Sequence, residues 1–206
     1  MADVAVHEAP AADPQGAPGT IAIPEFEIVP RKLLIFPAVT FAALIVAIAS
    51  NKPWPLDFFH VVGGASWTIL DLFLGFVLGP ILGSLTIPAR IELTARLMPK
   101  MLVIMPTVVT LTLAAGWQLG VAQGKVLTSY ANHGWVVASF IVVGVMSVIA
   151  LGLLEPANVA VLFELKKPRP DPSVIQRLMK RFIYCAGITG AMQIATLVIM
   201  TKLATS

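Results

Sequence analysis

The stretch from Gly134 to Leu154, GWVVASFIVVGVMSVIALGLL, contains no charged side chain. Wound as an α-helix it extends about 30 Å, the thickness of a bilayer's hydrocarbon core. A segment crossing lipid must satisfy its own backbone N–H and C=O groups, and a helix does so. Four further blocks have the same character. A helix is predicted from about Lys32 to Ser50, with Pro37 in its opening turns, where a missing donor is tolerated. Asn51-Lys52-Pro53 then ends it. The second is predicted from about Asp57 to Leu82, closing near Gly79-Pro80, the third from about Pro99 to Val121, and the fifth from about Arg181 to Leu203. In the fourth, Glu155-Pro156 is expected to interrupt the helix, with the pattern resuming to Leu165 outside the lipid. Glu155 is then expected near interfacial water, beside basic residues. The fold class expected is an all-α, polytopic membrane bundle of five transmembrane helices over residues 31–206, preceded by a tail, residues 1–30.

Composition agrees. Of 206 residues, 57% are hydrophobic and 12% charged, with mean hydropathy +0.87, well outside the balance of a soluble domain. The net charge of +3 does not point to nucleic acid, because the basic residues sit in short connections beside apolar blocks. That pattern reports orientation in a membrane. Cys185 is the single cysteine, so neither an intrachain disulfide nor CxxC chemistry is available. The tail holds Asp3, Glu8, Asp13, Glu25 and Glu27 among Ala, Pro and Gly, with no Lys or Arg. It is expected to be disordered, and it lacks the basic start and apolar run of a secretory signal.

With five spans, Arg31, Lys32, Arg90, Arg96, Lys100, Lys166, Lys167, Arg169, Arg177, Lys180 and Arg181 fall on one side, against Lys52, Lys125 and Lys202 on the other. The positive-inside rule places the richer face in the cytoplasm, giving N-in, C-out. Trp54, Trp117 and Trp135 fall at the outer helix ends, where an aromatic belt is expected. The basic 164–181 loop is expected to meet anionic lipid headgroups. It and the acidic tail also offer docking surfaces for other membrane subunits.

Few residues could carry chemistry. His60 opens the second helix and His133 the fourth, both on the outer side, and two imidazoles on neighbouring helices can hold haem b. Gly63 and Gly64 would leave room for the macrocycle, with Trp67 two turns below His60. Copper is the other candidate, held by His60, His133 and Met200, since imidazole and thioether suit it. The bland reading is that the histidines are interfacial and the glycines allow close helix packing. Met98, Met101 and Met105 line one side of the third helix, where packing accounts for them better than metal passage. Asp71 is the most informative residue, because a carboxylate halfway down a span is costly unless it faces a cavity or a partner, or is protonated. His60, Trp67 and Asp71 share one helix face. Gln193, Thr107, Thr110 and Thr112 are candidate partners for Asp71. No Walker loop, dinucleotide fingerprint, Ser/His/Asp order or HExxH helix is present.

At Phe58-Phe59-His60-Val61-Val62-Gly63-Gly64-Ala65-Ser66-Trp67 the chain resembles a helix of CopD-like bacterial membrane proteins, the copper-resistance membrane domain and its uncharacterised relatives. Leu97-Met98-Pro99 through Gly116, and the loop after Glu155-Pro156-Ala157-Asn158, resemble the same group, so the likeness covers most of residues 55–203. The resemblance implies a helical bundle handling copper or haem at the outer face, with His60 at the motif position. The chain departs from the group in lacking further histidines inside its helices and in carrying Asp71. A similar His-and-Trp helix occurs in membrane-bound protoporphyrinogen oxidases, but the rest of the chain does not match them. Three functions are therefore expected to compete: haem or copper binding for electron transfer or metal handling, a non-catalytic accessory subunit, and a small transporter with a path past Asp71.

Overall fold

The computed structural model describes residues 24–205. Among them are five helices long and apolar enough to cross a membrane: α1 (Arg31–Ser50), α2 (Pro53–Ser84), α3 (Ile87–Ala122), α4 (His133–Leu165) and α5 (Pro172–Ala204). No strand occurs among the described residues. The protein is an all-α, multi-pass bundle.

Three of the five helices, α2, α3 and α5, start where the sequence offers a proline that needs no donor. Pro53 and Pro55, Pro88, and Pro172 all stand in first turns. Asp171 caps α5 by accepting from the Ser173 backbone N–H at 2.8 Å. Between α1 and α2 the chain turns at Asn51, whose φ of 48° is left-handed, a conformation that asparagine tolerates better than most residues.

Three helices run further than expected. α3 begins at Ile87 and α5 at Pro172, because the charged stretches before the apolar blocks continue the same helix. α4 does not break at Glu155-Pro156. A proline removes one donor and crowds the carbonyl four residues back, and here a wide π turn over Ala150–Leu154 takes up the mismatch, so the helix continues to Leu165. The same device, Phe73–Leu78, precedes Pro80 in α2. At 36 residues, α3 is about 54 Å long, and so longer than a bilayer core is thick.

α2 packs on α3 and on α5, α5 packs on α4, and the later part of α4 packs on α3. These four helices form a closed ring in which α2 and α4 stand diagonally opposite. α1 lies outside the ring against α3 and α2. Trp67, Met98, Met105, Leu154 and Phe182 fill the interior. Small residues set the α2–α5 crossing: a Cβ on Gly75 would come within 2.6 Å of the Gly187 Cα, so the two backbones nearly touch.

Residues 24–30 lie along the bundle end that carries most of the basic residues, called here the basic end. Phe26 and Ile28 pack on the core while Glu25, Glu27 and Val29 face outward. Lys166 donates to the Phe26 carbonyl at 2.6 Å and sits 4.5 Å over its ring. The rest of the predicted disordered tail lies outside the described residues.

Candidate functional site: a polar seam at mid-depth

Antiparallel packing fixes which residues share a level. His60 on α2 lies against Gly116 on α3, and Gly63 against Thr112. On the α5 side, Gly75 meets Gly187 and Leu72 meets Gly190. Continuing these registers puts Asp71 level with about Ile104 on α3 and Ala191 on α5. On α4, the Met146 sulfur accepts from the Thr196 hydroxyl at 3.5 Å. The Asn158 amide, with its nitrogen toward Met98 O (3.3 Å) and its oxygen toward Leu102 N–H (3.1 Å), ties α4 to α3.

Asp71 is fully buried where α2 faces α5. The Trp67 indole N–H and the Thr189 hydroxyl lie beside its carboxyl, yet neither carboxyl oxygen has a hydrogen-bond partner. Thr189 explains its own part, since its hydroxyl is directed at the Cys185 and Ala186 carbonyls of its own helix, at 3.0 and 3.1 Å. The Trp67 Nε1 has no partner. Gln193, one turn beyond Thr189, meets the Thr68 hydroxyl at 3.1 Å through its side-chain oxygen, while its amide nitrogen is unpartnered. Asp71 with Thr189, and Gln193 with Thr68, stand as two neighbouring polar groups in a seam along the α2–α5 contact, with no contact between Asp71 and Gln193 themselves among the described hydrogen bonds. The α3 threonines do not join it. Thr107 and Thr112 give their hydroxyl protons to the carbonyls of Val103 (2.6 Å) and Val108 (2.7 Å), and Thr110 is exposed.

Glu155 is the residue that sequence reasoning misplaced. It is 9% exposed, both carboxyl oxygens lack hydrogen-bond partners, and Asn158 stands beside it. Among the described residues no basic side chain pairs with it. The signal that could have found it is the acid–amide spacing of one helical turn, Glu155 to Asn158, inside an otherwise apolar run.

The histidines have a different setting. His60 is half-buried, its Nδ1 is 2.9 Å from the Thr112 carbonyl, and its ring lies on Gly116, where a Cβ would come within 2.5 Å. The hydrogen bond makes Nδ1 the protonated nitrogen and leaves Nε2 with its lone pair. The space beside Gly63 is filled by Thr112, at 2.6 Å from a Cβ there, and Gly64 also faces Thr112. Gly63 serves helix packing and leaves no room for a macrocycle beside it, whereas Gly64 is half-buried and only in ordinary contact with Thr112. His133 begins α4 as expected, with an unpartnered buried Nδ1. By register His60 is level with about Lys202, whereas His133 lies past the last turn of α5, roughly 10 Å higher. Diagonal helices and that offset do not suit two axial ligands of one iron. Met200 is at the level of His60 on the neighbouring α5. Among the described residues no three His, Cys, Asp or Glu side chains gather in a way that could hold a metal ion.

At the basic end the loop is partly committed within the chain. Buried Glu164 accepts from Lys167 (2.6 Å) and from the Asp171 backbone N–H (3.1 Å), and Lys166 holds Phe26. Asp171 lies outside the spans, and the hydroxyl and backbone N–H of Ser173 hold its carboxyl below the usual range. No known family matches the chain, and no curated protein or solved structure is similar to it.

Proposed function

We propose that the protein moves protons through its membrane interior, with Asp71 as the group that binds and releases them. The reading rests on one observation: a carboxyl with no exposed surface, both of whose oxygens lack a hydrogen-bond partner, stands deep within a membrane-length helix. Leaving a charge there costs a few kcal/mol, and such residues pair, face water or carry protons. No cationic side chain neutralises Asp71 among the described ion pairs. A proton is the species this carboxyl can accept without leaving a net charge in the apolar interior. The unpartnered Trp67 and Gln193 nitrogens extend the polar track along the α2–α5 contact. The basic end faces the cytoplasm of a bacterial inner membrane in this reading, and Arg169, Arg177, Lys180 and Arg181 meet anionic headgroups.

The test is proton flux into vesicles reconstituted with the purified protein, followed with a trapped pH dye under an imposed potential. Flux well above that of empty vesicles is expected, falling about tenfold in Asp71→Asn, equivalent to about 1.4 kcal/mol. Flux indistinguishable from empty vesicles would sink the proposal.

A second reading has its own observation. The His60 Nδ1 contact leaves Nε2 available as a ligand, as where a metal-bound histidine donates its other ring N–H to a backbone carbonyl, and Met200 shares its level. This fits a copper ion handled at the tryptophan-bearing end better than a haem. Copper retained by wild type and lost in His60→Ala would support it.

A further inference from the structure

We infer that Glu155 is a second proton-binding carboxyl of the same interior, level with Asp71 and diagonally across the four-helix ring. The inference rests on the proton-moving reading and extends it from one carboxyl to two.

Two independent registers place Glu155. Asn158 bonds the α3 backbone at Met98 and Leu102, so Glu155, three residues earlier, is level with about Val103. Met146 meets Thr196, so Glu155 is level with about Gly187 on α5. Asp71 falls at about Ile104 and Ala191 on the same two helices. Both carboxyls therefore lie within about one turn of a common level. Each also stands next to a π turn, Asp71 shortly before Phe73–Leu78 and Glu155 directly after Ala150–Leu154, and both π turns pack on α5. Such turns shift backbone carbonyls out of regular pairing and recur at functional sites. The α3 segment between the carboxyls adds another irregularity: Pro106 has no N–H, so the Leu102 carbonyl loses its regular partner at this same level.

The other ionisable side chains near this level on the packed helices are Lys100, Tyr184 and Cys185. Lys100 and Tyr184 are exposed at the bundle surface, and Cys185 is buried. Neither carboxyl faces a fixed cation. Each binds one proton at a carboxyl oxygen and releases it to water, so only O–H bonds form and break and no electron moves. The Asn158 amide, one turn on, is engaged with the α3 backbone, so the two Glu155 oxygens have no hydrogen-bond partner among the described residues.

Infrared titration of the reconstituted protein, run beside the flux assay, tests this. Wild type is expected to show two protonated-carboxyl C=O bands, one lost in Asp71→Asn and the other in Glu155→Gln. Flux is expected to drop about tenfold in Glu155→Gln and to be largely kept in Glu155→Asp, which retains a carboxyl and controls for folding. A titrating band unaltered by Glu155→Gln, or wild-type flux in that variant, overturns the inference. If wild type carries no protons, the proton-moving reading fails, while the band assignment still decides whether Glu155 binds a proton.

Discussion

α2 has two polar stations, and they are built oppositely. Near its start, His60 bonds Thr112, rests on Gly116 and shares a close helix contact through Gly63. Three turns further, Asp71 has polar neighbours on two helices and bonds to none of them. The first station reads chiefly as architecture, because its Nδ1 is partnered and its neighbours fit against it, with Nε2 left as the atom on which the copper reading depends. The second reads as function because burying an unpartnered polar group costs free energy that packing does not return. Within one helix, hydrogen-bond satisfaction separates the two more sharply than residue type does.

The largest effect that would break this contrast is at the α2–α5 crossing that positions Asp71. Gly75→Val puts side-chain atoms where the Gly187 backbone stands and is expected to cost about 3 kcal/mol, seen as loss of folded protein in thermal unfolding in detergent. Asp71→Asn removes the proposed proton-binding group and leaves the shape: flux is expected to fall about tenfold, with a melting temperature equal to or above that of wild type, because an amide has no charged form to bury. A large drop in stability would instead make Asp71 a structural residue. At the first station, Gly116→Ala crowds the His60 ring and is expected to destabilise by about 1–2 kcal/mol. The double variant with His60→Ala should recover part of that in a mutant cycle, and flux should be unchanged.

Smaller effects lie at the basic end. Lys166→Ala removes the ammonium that holds Phe26 and should raise hydrogen exchange and proteolysis in residues 24–30 without altering the bundle. For Asp171 the sign follows from its depressed titration. The stability it lends to the start of α5 is present above its unfolded-state value and is lost as pH falls through its lower folded value. Exchange at the Ser173 amide should therefore increase only in acid, and in Asp171→Asn it should lose that acid dependence.

The seam was half legible. Asp71 stands out in the sequence as a lone carboxylate in an apolar run, and Gln193 follows by depth. Thr107, Thr110 and Thr112 looked equally able to join, yet two of them direct their hydroxyls to their own helix and the third faces outward. Hydrogen-bond direction is not encoded in spacing. Glu155 was obscured by Pro156, since a proline ordinarily marks a helix end, and the π turn that carries α4 past it depends on packing against α5.

The sequence by itself determined five helices long and apolar enough to cross a membrane, because each apolar block must meet its backbone's hydrogen-bonding needs locally, whatever its neighbours. It also determined that Asp71 lies inside, since the cost of a carboxylate depends on its depth in the span. Which polar residues meet was decided by the tertiary structure alone. That depends on helix order around the ring and on register at Gly75–Gly187 and Gly63–Thr112, where contact between backbones sets the level of every side chain above and below.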